Sequence, residues 1–289
     1  MESTSETRRH PEDKKVPSLS YDRLSVVVGL ALLGMAFSFL VQLPAQTFAS
    51  TLFGQPWEIT IPGDWIMNAI LVGLVCTGVG SIIRRHPAMQ HMRIGYTLTF
   101  WILPATLALS AISFLHLSPD RLYWLAGLAF SGILLAWVIM GQYHTVDPDD
   151  PHYGAARLSL NIISYLAALG VFISIYDTKT RSLFSATAIA VTGVLLSLEL
   201  LRETQKDANR TWLYALSIGL VMGEITWSLN YWGIGGAVGG VFLLLAFYAL
   251  TGICQSYLQG RLSKLLIAEF AIVGIIGLVL LSRYSPWIW

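Results

Sequence analysis

Charge is what this chain lacks. Only 12% of its 289 residues are Asp, Glu, Lys or Arg, about half the share usual in soluble domains. The net charge of +1 leaves no basic surplus, so no nucleic-acid partner is expected. Cysteine is equally scarce. Cys76 and Cys254 each stand alone inside an apolar run, which excludes a disulfide framework and a thiolate zinc site. No lysine lies deep in an apolar run, so a retinal-type Schiff base is excluded. His86, His91, His144 and His152 fall at connections and His116 at the end of a run, which leaves no mid-membrane pair for a haem. HExxH, GxSxG and a phosphate-binding P-loop are all missing, which argues against the hydrolases and ATPases that carry them. No cofactor is expected.

What the chain has in abundance is apolar surface. Hydrophobic residues make up 55% of it and the mean hydropathy is +0.62. A spanning helix needs about 20 mostly apolar residues, and nine runs qualify: Ser25–Leu43, Trp65–Ile83, Tyr96–Leu117, Leu122–Gly141, Leu158–Tyr176, Leu183–Leu201, Thr211–Tyr231, Gly235–Gln255 and Ser263–Leu281. The class expected is therefore an all-α integral membrane bundle of about nine helices, one polytopic domain over residues 21–289 with the lipid bilayer as its solvent. Residues 1–20, rich in charge, Ser and Pro, read as a disordered cytoplasmic tail rather than a cleaved signal peptide.

Lys and Arg on alternate connections give the orientation. With nine spans, 14 fall on the side of the N-terminus and 4 (Arg121, Lys179, Arg181 and Arg283) on the other. This asymmetry predicts the N-terminus inside and the C-terminus outside. Small residues at three- or four-residue spacing mark close helix contacts in lipid. Such stripes occur at Ala69, Gly73, Thr77 and Ser81, at Gly235, Gly236, Gly239 and Gly240, and at Gly274 and Gly277. They predict packing within the bundle.

Between Arg210 and Arg261 the one formal charge is Glu224. An ionised side chain at the centre of a spanning helix costs roughly 2.5–3.5 kcal/mol on insertion scales. Glu224 shares a helical face with Ser217, Leu220, Ser228 and Tyr231, and that polar-aromatic stripe predicts a face turned into the bundle. Two roles follow. Glu224 could bind a proton, ion or small polar solute in transport, with Ser228, Tyr231 and Asn161 as supporting donors. It could instead be a hydrogen-bonding residue in a non-catalytic scaffold or subunit of a membrane assembly, with other membrane proteins as partners. Glu269, about 10 Å shallower, would be a further step of a path or an interfacial ion pair. Glu199 and Arg202 read as a local pair at a solvated helix end.

The connection from Tyr143 to Tyr153 holds the one dense carboxylate cluster: Asp147, Asp149 and Asp150. Hard cations want several oxygens, so these three are the candidate metal ligands. A third role, a membrane-embedded lipid or isoprenoid enzyme, would rest on them. The Pro-broken run also reads as ordinary turn chemistry.

Trp101-Ile102-Leu103-Pro104, the stretch from Glu224 through Trp227 to Asn230-Tyr231-Trp232, and Gly239-Gly240 followed by Phe247-Tyr248 resemble an uncharacterised family of bacterial polytopic membrane proteins, a domain of unknown function. The likeness runs over most of residues 20–280. It implies a multi-pass protein of the bacterial plasma membrane and brings no reaction, substrate or cofactor.

Overall fold

The structure is a computed structural model that describes residues 20–41, 43–52, 55–89, 94–177, 182–202, 208–232 and 234–284. Nine α-helices are found among these residues: α1 (Tyr21–Leu40), α2 (Gly63–Ile83), α3 (Ile94–His116), α4 (Arg121–His144), α5 (Tyr153–Asp177), α6 (Ser182–Leu201), α7 (Ala208–Leu229), α8 (Gly236–Leu258) and α9 (Lys264–Tyr284). Each falls on one of the nine apolar runs. By length and composition α1 to α8 can cross a membrane, and α9, with 21 residues, is the ninth expected span. The chain is a multi-pass membrane protein. The expected tail lies outside the described residues, as does the segment after Tyr284.

Lipid offers the backbone no hydrogen bonds, so every spanning segment must satisfy its own. Buried hydroxyls follow the same rule. Ser164, Ser197, Thr226 and Thr251 each donate to the carbonyl four residues back, on Leu160, Gly193, Met222 and Phe247. Pro104 is accommodated inside α3.

The helices form two quartets. In the first, α1 packs on α2, α2 on α3, α3 on α4, and α4 closes back on α1. In the second the same ring runs α5, α6, α7, α8 and back to α5. They join where α3 meets α5 and α6, and where α4 meets α5. Each has its own core, around Val75, Phe100, Leu103 and Ile139 in the first and around Phe172, Leu196, Met222 and Phe247 in the second. The last helix, α9, leans chiefly on α8.

One element departs from the all-α expectation. Between α1 and α2, β1 (Gln46–Leu52) and β2 (Gln55–Ile61) form an antiparallel hairpin, in register from Gln46 opposite Ile61 to Leu52 opposite Gln55. It is an appendage to a helical bundle.

The small-residue stripes divide. Gly236, Gly239 and Gly240 of α8 press on Asp177, Tyr176 and Ile173 of α5, the close approach that the spacing predicts. Gly277 meets Phe242, whereas Gly274 faces open space. The α2 stripe is a correction. Ala69, Gly73, Thr77 and Ser81 are exposed, and nothing approaches the position a Cβ would take on Gly73. The packed face of α2 is instead the bulky one, with Leu71, Val75, Val79 and Ile82, because large apolar side chains fill the first core.

Candidate functional site

The α6–α7 seam decides which way Glu224 points. These two helices make the most extensive contact in the bundle, and small residues allow it. A methyl on Gly219 would collide with the Val194 side chain and lie 2.6 Å from the Ala190 carbonyl; one on Gly223 would lie 3.1 Å from the Ala190 Cβ. Ala215, Ile218, Met222 and Thr226 complete the buried face of α7. The polar-aromatic stripe is therefore turned outward, contrary to the inward face expected from its composition. Leu220, Glu224, Trp227, Ser228 and Tyr231 are all exposed.

Glu224 forms the ridge between two open grooves. One, about 340 Å³, is lined by Ile225, Phe242 of α8 and Leu278 of α9, among others. The other, about 480 Å³, runs along Ala186, Ala190 and Val191 of α6. The hydroxyl of Ser228 donates to the backbone carbonyl of Glu224 at 3.1 Å, so it is satisfied by its own helix. Among the described residues no side chain pairs with the Glu224 carboxylate.

The other expected members of this site lie elsewhere. Glu224 sits about 24 Å along α7 from Ala208, at 1.5 Å per residue. Asn161, half-buried, is about 12 Å along α5 and Glu269, exposed, about 8 Å along α9. All three helices start from the same end of the bundle, so the structure does not gather these groups. Tyr231 lies just past α7 and is 68% exposed.

A different glutamate is the buried one. Glu199, near the end of α6, is 1% exposed, with its carboxylate 3.5 Å from Arg202 and 3.9 Å from Arg157 of α5. These are ion-pair distances, beyond the range of good hydrogen bonds. Arg157 also donates to the Glu199 and Leu200 carbonyls at 3.2 and 3.0 Å. Gln255 of α8 donates to the same Leu200 carbonyl at 3.0 Å. The Arg202 guanidinium lies 4.0 Å above the Phe100 ring of α3, a cation–π contact. The solvated helix end expected here is thus corrected. Arg157 arrives from 42 residues away to flank the carboxylate, and with Arg202 on Phe100 and Gln255 on Leu200 the cluster joins α3, α5, α6 and α8.

At the same end of the bundle, the α4–α5 connection folds around Asp150. Its Oδ2 lies 2.8 Å from His144 Nδ1; its Oδ1 accepts the His152 amide at 2.8 Å and lies 3.4 Å from His152 Nδ1. Burial alone would raise the Asp150 carboxyl, but these hydrogen bonds and the His144 charge carry it below the usual carboxylate value. The carboxylate trio of the sequence does not converge. Asp147 accepts the Asp149 backbone amide at 3.0 Å, a turn contact, and Asp149 is exposed. Among the described residues the group with ligating atoms within 4.8 Å of one another is His144, Asp150 and His152.

His86, just past α2, is 2% exposed. Its ring stands edge-on to Tyr143 at 4.8 Å and accepts the Ala88 amide at 3.2 Å. Burial holds it below the usual 6.5 against the pull of Asp147 and Asp150, with His144 pushing the same way as burial.

A family model described as a protein of unknown function (DUF5656) matches residues 43–283, which is most of the chain. No curated protein and no solved structure matches.

Proposed function

The chain belongs to this family of unknown function, and from the geometry we propose that it is a non-catalytic subunit of a membrane assembly, docked through the Glu224 face of α7. The observation that carries this reading is an acid within an apolar span, exposed, with no side-chain partner among the described residues. Such a group costs up to roughly 2.5–3.5 kcal/mol in lipid at the centre of a span. A partner from outside the chain offsets that cost. The chemistry of the partner follows from charge. A second copy would bring another carboxyl to the seam, because Glu224 is the one charge between Arg210 and Arg261. The complement is a transmembrane helix of another protein that carries Lys or Arg at the depth of Glu224. Its side chains would enter the two apolar grooves beside that residue. The arginine-rich end of the bundle would face the cytoplasm of a bacterial cell, in its plasma membrane.

The transport reading needs a polar route to Glu224. Both grooves that border it are lined mainly by apolar side chains. The buried ionic cluster lies toward the other end of the helices, so nothing described connects the two.

The test is Glu224→Leu in the full chain, expressed in its native membrane and extracted in mild detergent. The wild type should migrate as a complex, and crosslinks from Leu220 or Ser228 should reach a helix with a basic residue. Glu224→Leu should migrate as the lone chain with an unchanged melting temperature. Crosslinks between copies of this chain would overturn the basic partner. Proton flux in liposomes that Glu224→Gln abolishes would overturn the subunit reading in favour of transport.

A further inference from the structure

The α4–α5 connection brings two imidazoles and a carboxylate together within nine residues of chain, and neither the subunit reading nor the family description uses them. We propose that His144, Asp150 and His152 form a site for a zinc-class divalent ion at the surface of the bundle. Zinc takes imidazole nitrogen and carboxylate oxygen at about 2.0–2.2 Å in a tetrahedron, which sets neighbouring ligand atoms about 3.3 Å apart. The Asp150 oxygens already lie 2.8 Å from His144 Nδ1 and 3.4 Å from His152 Nδ1. The three ligating atoms lie within 4.8 Å of one another, so a small inward swing of His152, 71% exposed, closes the set.

The support around the site is uneven in a useful way. The Asp150 side chain is 5% exposed and fixed by the His152 backbone amide, so the central ligand is pre-oriented. His144 closes α4, where the helix carbonyls add partial negative charge. Asp147 and Asp149 lie in the same connection and add negative charge to it. Two nitrogens with one oxygen favour zinc over magnesium or calcium, which prefer all-oxygen sets. Three protein ligands leave a fourth position for water or another donor. Ligation would clip the end of α4 to the start of α5.

The test uses the untagged full chain, purified in detergent and freed of metal with a chelator. Added Co²⁺ should bind at one ion per chain and show the visible absorption of four-coordinate cobalt, and Zn²⁺ should displace it. Zn²⁺ should raise the melting temperature, whereas Mg²⁺ should not. His152→Ala should weaken zinc binding by at least about tenfold and leave the melting temperature of the metal-free protein unchanged, because that ring is largely in solvent. Asp150→Asn should abolish the cobalt spectrum; if it fails to fold, His152→Ala decides alone. Absence of saturable zinc binding, or zinc affinity that His152→Ala leaves intact, overturns the site.

Discussion

Glu199 and Glu224 stand on neighbouring helices and solve the same physical problem in opposite ways. Glu199 is covered by its own chain, with two arginines at its Oε1, carbonyls that hold one of them, and an aromatic ring under the other. Glu224 is left open on the outer face of α7. An acid in a low-dielectric setting must be matched. Where the match is internal it joins four helices, and where none is found among the described residues the proposed partner would supply it. On the proposed reading, the first acid serves folding and the second assembly.

Glu199→Leu should break that comparison most severely. It strands two arginines that are less than a tenth exposed, and removal of one member of a buried ionic set costs about 3–5 kcal/mol. The melting temperature in detergent should collapse, and a small shift would show that the arginines find other partners. Gly219→Val acts on the seam that turns Glu224 outward. Overlap with Val194 and the Ala190 carbonyl should cost about 1–3 kcal/mol, read as a lower melting temperature, while Gly73→Ala on the open α2 face should cost little.

A pH series sharpens the comparison from the side of the buried groups. The folded-state value of His86 lies below 6.5, so the unfolded chain takes up the proton first. Stability is complete above 6.5 and falls as pH drops from there toward the lower folded-state value, by at most about 1.4 kcal/mol per unit. His86→Asn should flatten thermal unfolding between pH 7 and 5. Asp150, held below 3.8, adds a separate loss at lower pH. The smallest effect belongs to Glu224→Leu, which should leave the isolated chain within about 0.5 kcal/mol of wild type. A loss as large as that at Glu199 would erase the distinction between the two acids.

The helices were legible because lipid demands length and apolarity, and both are written along the chain. What escaped is what depends on rotation or on distance. The outer stripe of α7 contains Ser217, Ser228 and Tyr231, and polarity alone suggested an interior face. The close fit of Gly219 and Gly223 to α6 set the rotation instead. Glu199 looked like a helix end beside Arg202, and that local pair is present. Its cover comes from Arg157, which no spacing rule connects to α6. The hairpin is a different kind of miss. Thr47, Thr51, Ile59, Thr60 and Ile61, on either side of Gly54, carry a β-branched signal that a search for apolar runs passes over. His144 and His152 stand eight residues apart across a turn, and only the fold of that turn around Asp150 makes them neighbours.

The last helix gives the Glu224 face a mechanical asymmetry. On one side of that ridge lies the α6–α7 seam, where glycines lock two backbones together and leave no room to shift. On the other side the wall includes α9, which leans chiefly on α8, among other contacts through Phe270 against Gly252 and Gly277 against Phe242. A helix with one packed neighbour tilts more freely than one held in a ring. The two grooves are thus a fixed jaw and a yielding one. A docked helix would take its register from the first and would be tightened or released by movement of the second.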